Sequence, residues 1–514
     1  MGVPAYIWEM FVRKKRNPSG VVSVQIIDKS HGKYRMVKTV GSSSDPQEID
    51  RLFQEGKAQI ARMHGQQVME FRNEEEELFL QTLNESIEQI QLIGPELILG
   101  RIFDEIGFNQ IPEELFRHLV ISRLVFPLSK LKTIDYLRKY LGVSYEVDQI
   151  YRYLDKLRKD YFDQVQQISY HHTLEVLGDD LAIVFYDVTT LYFEADREDD
   201  FRISGFSKEG KHKHPQILIG LLVSVGGYPL AYELFEGNKF EGHTMIPVLE
   251  AFKKRYKLNK LVVVADSGLL SKKNVESLQE GGYEFILGAR IKQESKTMKK
   301  KILGLEFEDG QCKLLTRPDK LRLVVSYSAK RAAKDQYNRE RGIKRLKKNI
   351  GQGRLTKSNL NNRGYNKFLK MEGEVSITLD QKKIEQFSRW DGLKGYLTNS
   401  KLKPGEVIAN YHHLWQIEKA FRISKTDLKV RPVYHYTKRR IEAHIGISFC
   451  AYKVYKELER QLKEKGSEMS PARAIEAMST IYAIRMVLPS SKRPYLHMIT
   501  TDEDHRELQE MFRF

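Results

Sequence analysis

Cysteine is nearly absent: Cys312 and Cys450 are the only two in 514 residues. Two thiols build neither a disulfide framework nor a four-ligand zinc ribbon, so the pattern fits a reducing compartment. Long apolar runs are missing too. The most apolar stretch, from Ile217 to Val225, has about half the length that a bilayer-spanning helix needs. The opening MGVPAYIWEMFVRKKRNPSG has no apolar run of the kind that makes a signal peptide, and Gly2 alone is poor evidence for myristoylation. These absences lead to the expectation of a soluble, cytoplasmic protein with no membrane partner. Acids are also in short supply. Lys and Arg number 85 against 68 Asp and Glu, a formal net charge of +17. A surplus of that size favours a polyanionic partner, with nucleic acid leading and a merely basic cytosolic protein as the bland alternative.

What is present supports sizeable cores: 41% hydrophobic and 10% aromatic residues exclude general disorder. The length suggests several domains, and six segments can be separated. Residues 1–94 read as a small α+β module, with β-branched VVSVQIID and KYRMVKTVG around KSHG, then the helical DPQEIDRLFQEGKAQIARM. Residues 95–178 are helical, with Leu115, Leu119 and Leu124 near one face and a break at Gly142-Val143-Ser144. This segment is open to two readings: a helix-turn-helix DNA reader showing Asp148, Tyr151 and Arg152, or a plain helical bundle. Residues 179–300 alternate strand-like LAIVFYDVTTLYF, PQILIGLLVSVGG, YPLAYELFEG and LVVVADSG with helical stretches, which predicts a mixed sheet covered by helices. Gly226-Gly227 marks a hairpin. Residues 301–385 form a β-rich insertion holding a basic segment, Ala329 to Lys357, with eleven Lys or Arg and two acids. Residues 386–470 return to the sheet and add two helices, one expected to run unbroken through VIANYHHLWQIEKAFRISKTDLKV. Residues 471–514 are expected to be a helical tail containing PARAIEAMSTIYAIRMV.

Three acids stand out. Asp187 lies within the strand-like AIVFYDVTT, where an acid is costly unless it is paired or binds a metal. Asp266 ends the apolar run LVVVADSG, at the strand end where α/β sheets place their sites; a loop or cap role for it is the alternative. Glu418 lies in YHHLWQIEKAFRISK, where helical spacing lines up Tyr411, Glu418 and Lys425, with Trp415, Ile417 and Ala420 as core contacts; an amphipathic helix with a solvated Glu is the alternative. Carboxylates on a rigid frame suit two-metal phosphodiester chemistry, in which the ions lie roughly 3.5–4 Å apart. Mg2+ prefers such oxygen ligands.

Together these segments resemble the DDE transposases of bacterial insertion sequences, in the group with a Tyr-x2-Arg-x3-Glu-x6-Lys signature. Tyr411, Glu418 and Lys425 match that spacing, and Leu414 stands where the Arg is expected. YDVTTLYFE, VVVADSGLLSKKNVESL, GYEFILGAR, WDGLKGYLTNSK, YHHLWQIEKAFRISKTDLKVRPVYH and RRIEAHI also read like this family, close to its branch with long target duplications. The resemblance spans roughly Leu181 to Lys456. It implies an RNase H-like core with the first Asp on the first strand, the second at the end of the fourth and the Glu on a late helix. It further implies that the 152 residues from Asp266 to Glu418 contain a β-rich insertion.

By the same likeness Asp187, Asp266 and Glu418 are catalytic residues and metal ligands for two Mg2+ ions, or Mn2+ in their place. Tyr411 and Lys425 would contact transposon-end phosphates. Arg290 and Arg422 are further DNA-contact candidates, and Lys344, Arg345, Lys347 and Lys348 of the basic segment make a phosphate-binding surface. Thr189 and Thr190 either bind DNA backbone or shape the strand end. His212 and His214, two residues apart without a third ligand, read as an exposed basic loop rather than a zinc site. His412 and His413 fall off the Glu418 stripe and read as structural.

The implied activity is cut-and-paste transposition: hydrolysis at transposon ends, then joining of the 3′-hydroxyls to target DNA. The implied partners are terminal inverted repeats and target duplex, bound by a homodimer in a paired-end complex near the bacterial nucleoid. An inactive DNA-binding regulator descended from a transposase and a general RNase H-like nuclease are the rival readings. Strand transfer separates the first from both.

Overall fold

The computed structural model describes residues 10–29, 33–63, 74–178, 183–194, 197–205, 214–258, 261–372, 376–431, 433–488 and 491–514. The chain divides into two compact units, residues 1–88 with 486–495 and residues 89–485 with 496–514.

In the first unit β1 (Met10–Arg16), β2 (Val22–Asp28) and β3 (Arg35–Ser43) form an antiparallel sheet in that order. Helix α1 (Pro46–Met63) packs on it, with Leu52 and Ile60 buried, as are Val24, Ile26 and Ile27 of β2. Each fully buried side chain of this kind contributes about 1.5–3 kcal/mol. The sequence pattern missed β1, because MFVRKKR carries four cations in seven residues. Pairing with β2 makes it a strand, and its lysines suit an edge exposed to solvent. Helix α2 (Glu74–Ser86) follows, then β4 (Ile87–Leu92).

The second unit opens with helices α3 (Arg101–Ile106), α4 (Glu114–Val125), α5 (Lys130–Tyr136), α6 (Val147–Lys156) and α7 (Phe162–Leu177). Strands β5 (Ile183–Tyr192), β6 (Gln216–Ser224) and β7 (Pro229–Glu236) come next, then α8 (Met245–Tyr256), β8 (Val262–Ala265), α9 (Lys272–Glu280) and β9 (Glu284–Ala289). After α10 (Lys296–Leu303) come β10 (Cys312–Thr316), β11 (Arg322–Tyr327), α11 (Ala329–Gly351), β12 (Leu369–Glu372), β13 (Ser376–Leu379), α12 (Gln381–Ser388) and β14 (Leu393–Thr398). Helices α13 (Pro404–His412), α14 (Trp415–Thr426), α15 (Lys438–Glu464) and α16 (Pro471–Met478), strands β15 (Tyr482–Val487) and β16 (Pro494–Ile499), and α17 (Glu503–Phe512) complete the order.

Eight strands share one sheet in the order β10-β11-β14-β9-β8-β5-β6-β7. β5, β6 and β7 are antiparallel neighbours, while β8 runs parallel to β5 and β9 parallel to β8. That is the RNase H-like arrangement. One face is covered by α8 and α9, and the other by α14, α15 and the earlier helices. Helix α15 is buried around most of its circumference, and α4, α6 and α7 pack against it. The helices from residue 95 onward therefore share a core with the sheet: Leu154 of α6 and Phe185 of β5 belong to one cluster. Tyr151, expected on an exposed reading face, is half-buried with Arg440 over its ring, while Asp148 and Arg152 are exposed.

Three segments depart from the sequence pattern. β10 and β11 do not belong to a separate β-rich body. They extend the main sheet beyond β14, since Leu323, Val324 and Val325 are apolar on both faces and fully buried. Only β12 and β13 pair apart from it, packed with α11 and α12. In the tail, the helix expected through PARAIEAMSTIYAIRMV ends at Met478. There Ser479 and Thr480 donate back to the Ile475 and Ala477 carbonyls, and the β-prone residues that follow become β15.

Two histidines give this fold a pH dependence. Burial, with Lys453 nearby, holds His172 down to about 4, and burial, with Lys130 and Arg123 nearby, holds His435 down to about 3. Unfolded, each ring takes a proton near pH 6.5. Below about pH 6.5 the unfolded chain binds more protons, so stability falls as pH falls towards the folded values, by up to about 1.4 kcal/mol per pH unit for each ring. Urea midpoints are expected to be lower at about pH 5 than at about pH 7; equal midpoints would exclude both rings as the cause.

Candidate active site

The period of two along a strand decides which side chains share a face. On β5, Val184, Tyr186 and Val188 join the core beneath α8 and α9, whereas Phe185 and Leu191 join the core on the opposite face. Asp187 and Thr189 keep step with Phe185 and Leu191. On β8, Val263 and Ala265 point towards α8, and Val264 points the other way. Asp266, the first residue beyond that strand, keeps step with Val264. The strands are parallel, with Tyr186 opposite Ala265. Asp187 and Asp266 thus take the next position on adjoining chains, roughly 4.8 Å apart at strand spacing, on one face.

Helices α13 and α14 cover that face, α13 over β8 and β9 and α14 over β5 and β6. Glu418 lies in the first turn of α14 and is exposed, as is Asp266, while Asp187 is half-buried. Lys425, in the last turn, donates to Thr189 Oγ1 at 2.6 Å, two residues beyond Asp187. The Asp266 carboxylate accepts from the Gly268 amide, closing the Asp-Ser-Gly turn, and Arg290 reaches the Gly268 carbonyl at 3.5 Å.

The expected unbroken helix is two. Gln416 and Ile417 donate to the carbonyls of His413 and Leu414, three residues back, and the axis bends there. Tyr411 therefore lies on α13, apart from Glu418 and Lys425. It is buried, and its hydroxyl rests on β9: a Cβ at Gly288 would come 2.5 Å from it and 3.0 Å from the Ser267 amide. Burial first, then the charges of Asp266, Glu418 and Asp187, push the Tyr411 phenol well up. Among the described residues, however, no three Asp, Glu, His or Cys side chains converge into a ready-made metal cage. Asp187 and Asp266 are side by side, and Glu418 stands off on its helix.

Residues 179–453, over half of the chain, match the family model described as transposase DDE domain. The chain belongs to the DDE transposase family. No curated protein matches the transposase. Among solved structures it is similar to a piggyBac transposase synaptic complex with hairpin DNA at 11% identity and TM-score 0.36, covering 78% of this chain and 79% of that one. It is also similar to a Mos1 transposase paired-end complex with left transposon end at 12% identity and TM-score 0.16, covering 36% of this chain and 56% of that one. The transposase thus spans about half the length of that Mos1 chain. As a DDE transposase it is an enzyme of DNA cleavage and strand transfer.

Leu414, where the signature Arg is expected, is 7% exposed and packs in the core with Ile417, Ala420 and Phe421. Trp415, expected in the core, is half exposed instead, with Lys419 over its ring. Arg422 is exposed on α14. Lys344, Arg345, Lys347 and Lys348 all lie on the outer face of α11, whose inner face buries Leu346 against Phe368 and Leu369. His412 is exposed, His413 packs on Phe185, and His214 is half-buried beside Tyr192. His212 lies outside the described residues.

Sequence reasoning missed Lys394. It projects from β14 over the Tyr411 ring, with Nζ 4.4 Å from the centroid. Burial and the nearby Arg331 lower its affinity for a proton, and Glu418 partly offsets them. A cation therefore lies over the Tyr411 ring. Arg331 lies in the first turn of α11, the start of the basic helix. The one available signal was a lone cation in an otherwise apolar strand, LKGYLT.

Proposed function

We propose that this transposase performs cut-and-paste transposition as a member of the bacterial insertion-sequence group with the Tyr-x2-Arg-x3-Glu-x6-Lys signature, acting on chromosomal DNA in the cytoplasm. The observation that carries this reading is the parallel register of β5 and β8, which sets Asp187 beside Asp266 on the face covered by the helix of Glu418. Hard carboxylate oxygens fit Mg2+, or Mn2+, an ion that keeps several waters and is held by few carboxylates together with substrate phosphate oxygens. Asp187, Asp266 and Glu418 would hold two such ions. Bound there, they supply Lewis-acid stabilisation of the attacked phosphodiester and of the leaving oxygen.

The chain's own residues do the rest. Lys425, fixed on Thr189, holds a positive charge beside Asp187 for a transposon-end phosphate. Tyr411 floors the cleft and excludes water beneath the acids. Lys394 takes the part of the signature arginine, a cation over the Tyr411 ring that reaches the site from β14 rather than from the turn at Leu414. Arg290, Arg422 and the outer face of α11, with Lys344, Arg345, Lys347 and Lys348, extend the phosphate track. Water cleaves one strand and leaves a 3′-hydroxyl, which then attacks a target phosphodiester: a new P–O bond forms to that oxygen, the bond to the target's own 3′-oxygen breaks, and the proton passes to the released target 3′-hydroxyl. Terminal repeats and target are both duplex DNA, held by a homodimer.

The test is an end-containing duplex incubated with a second, labelled DNA and Mg2+. Joined products that disappear with EDTA support the reading. Nicks without joining would favour a nuclease, and binding alone a regulator. Lys394→Met is expected to lower cleavage about 10–100-fold, the usual cost of losing one charge contact to a reacting phosphate, with end-DNA affinity changed far less. A proportional loss of affinity and rate would make Lys394 a general DNA contact instead.

A further inference from the structure

The chain between α14 and α15 alternates in burial. Val433 and His435 are buried, while Tyr434 and Tyr436 are 65% and 70% exposed. Alternation of this kind belongs to extended backbone, which turns successive side chains to opposite sides. Thr437, which ends the segment, is extended as well, with φ −85° and ψ 139°. On the inner side His435 packs against Tyr151 of α6 and His444 of α15, with ring centroids 6.2 and 5.3 Å away. The outer side carries both phenol rings into solvent.

The chain beyond β5 supports that outer side. Arg202 is 6% exposed, is paired with Asp199 at 2.7 Å and lies 5.3 Å from the centre of the Tyr436 ring. Lys438 lies over the Phe201 ring at 4.8 Å. Arg431 lies over the ring of Tyr192, the last residue of β5, at 5.3 Å. The surface therefore adjoins the strand that carries Asp187, and Tyr192 stands about 17 Å along it from that acid. From Lys429 to Ile441 there is no acid and five residues are Lys or Arg. Of these, Lys429, Lys438 and Arg439 are exposed.

Cations alone would suit the phosphates of any DNA. The tyrosines add flat π faces, which need flat partners. In a duplex the base faces are stacked away inside, and in an unpaired strand they are open. A basic surface interleaved with exposed aromatic rings has the chemistry that holds single strands, with phosphates on the cations and bases on the rings.

We propose that Tyr434 and Tyr436, with Lys429, Lys438 and Arg439, form a stacking platform for unpaired bases of a DNA strand. The platform concerns binding alone, so it stands or falls apart from the metal ligands proposed above.

The test is fluorescence anisotropy with the full-length protein and a labelled oligothymidylate, in EDTA so that no strand is cut. An abasic oligonucleotide of equal length and charge is the control. Wild type is expected to bind the thymidylate about tenfold more tightly or better, and Tyr434→Ala to lower that affinity about 5–100-fold, the effect of losing one base–aromatic stack. Tyr434→Phe should retain it, and Tyr436→Ala should act like Tyr434→Ala. Affinity for the abasic strand and for duplex DNA should be unchanged in these variants. Lys438→Met should weaken both oligonucleotides alike and reduce the log–log salt slope by about 0.7. Equal wild-type affinity for the two oligonucleotides would overturn the platform. So would a Tyr434→Ala protein that melts like wild type and binds the thymidylate as tightly. Should Tyr436→Ala melt lower through loss of its Arg202 contact, Tyr434→Ala alone decides. Single-strand and duplex affinity falling in step would overturn unpaired bases as the ligand and leave an ordinary duplex contact.

Discussion

Asp187→Asn is expected to abolish Mg2+-dependent strand cleavage, by about a thousandfold or more, while end-DNA binding and folding stay near wild type. The change removes one charge and keeps the shape. It falls on β5, whose backbone pairs with β6 and β8 on both sides, so the sheet holds the asparagine where the aspartate was. What is lost is half of the paired carboxylate edge made with Asp266. A binding site for a doubly charged hard ion loses several kcal/mol of transition-state stabilisation with that charge, which sets the scale of the rate loss. Nicking assays over a range of Mg2+ and Mn2+, with thermal melting and end-DNA binding in parallel, would check it. Cleavage within tenfold of wild type would sink Asp187 as a ligand. Loss of binding together with cleavage would make its role structural.

Leu414→Arg should do the opposite of what the family signature suggests. It restores the expected residue and should destabilise the protein by about 3–5 kcal/mol, the scale of an uncompensated buried charge. Leu414 lies at the bend between α13 and α14 at 7% exposure, in the same core cluster as Ile417, Ala420 and Phe421. An arginine there must bury its head without a carboxylate or push the bend apart, and Lys394 already supplies a cation from β14. Leu414→Met, close in volume, should cost less than about 1.5 kcal/mol. Urea and thermal unfolding of the two variants would separate charge from packing. An arginine variant as stable as wild type and faster in cleavage would show that the space near Glu418 takes the signature residue after all.

Much of this site was readable from residue order because its frame is made of strands. Apolar runs before Asp187 and Asp266 located the first acid within a strand and the second just past the end of one, as β5 and β8 of the eight-stranded sheet show. The bend at His413-Leu414 was not readable. It contains neither proline nor glycine; there Tyr411 lies over Gly288 and Leu414 is buried in the core, contacts that residue order does not announce. Lys394 was hidden for a similar reason: only the pairing of β14 with β9 and β11 carries that strand to Tyr411. β10 and β11 read as strands, yet nothing local tells which sheet an apolar strand will join.

The central position of α15 has a consequence for synthesis. Helices α4, α6 and α7 are made long before the helix they pack around, so on the ribosome their apolar faces wait for residues 438–464 to emerge. Nascent chains exposing such surfaces are the ones that aggregate or need chaperones. A shortened product ending before α15 would lack the pillar of its core, even with all three acids present. Assembly of the core beneath the three acids therefore waits for residues 438–464.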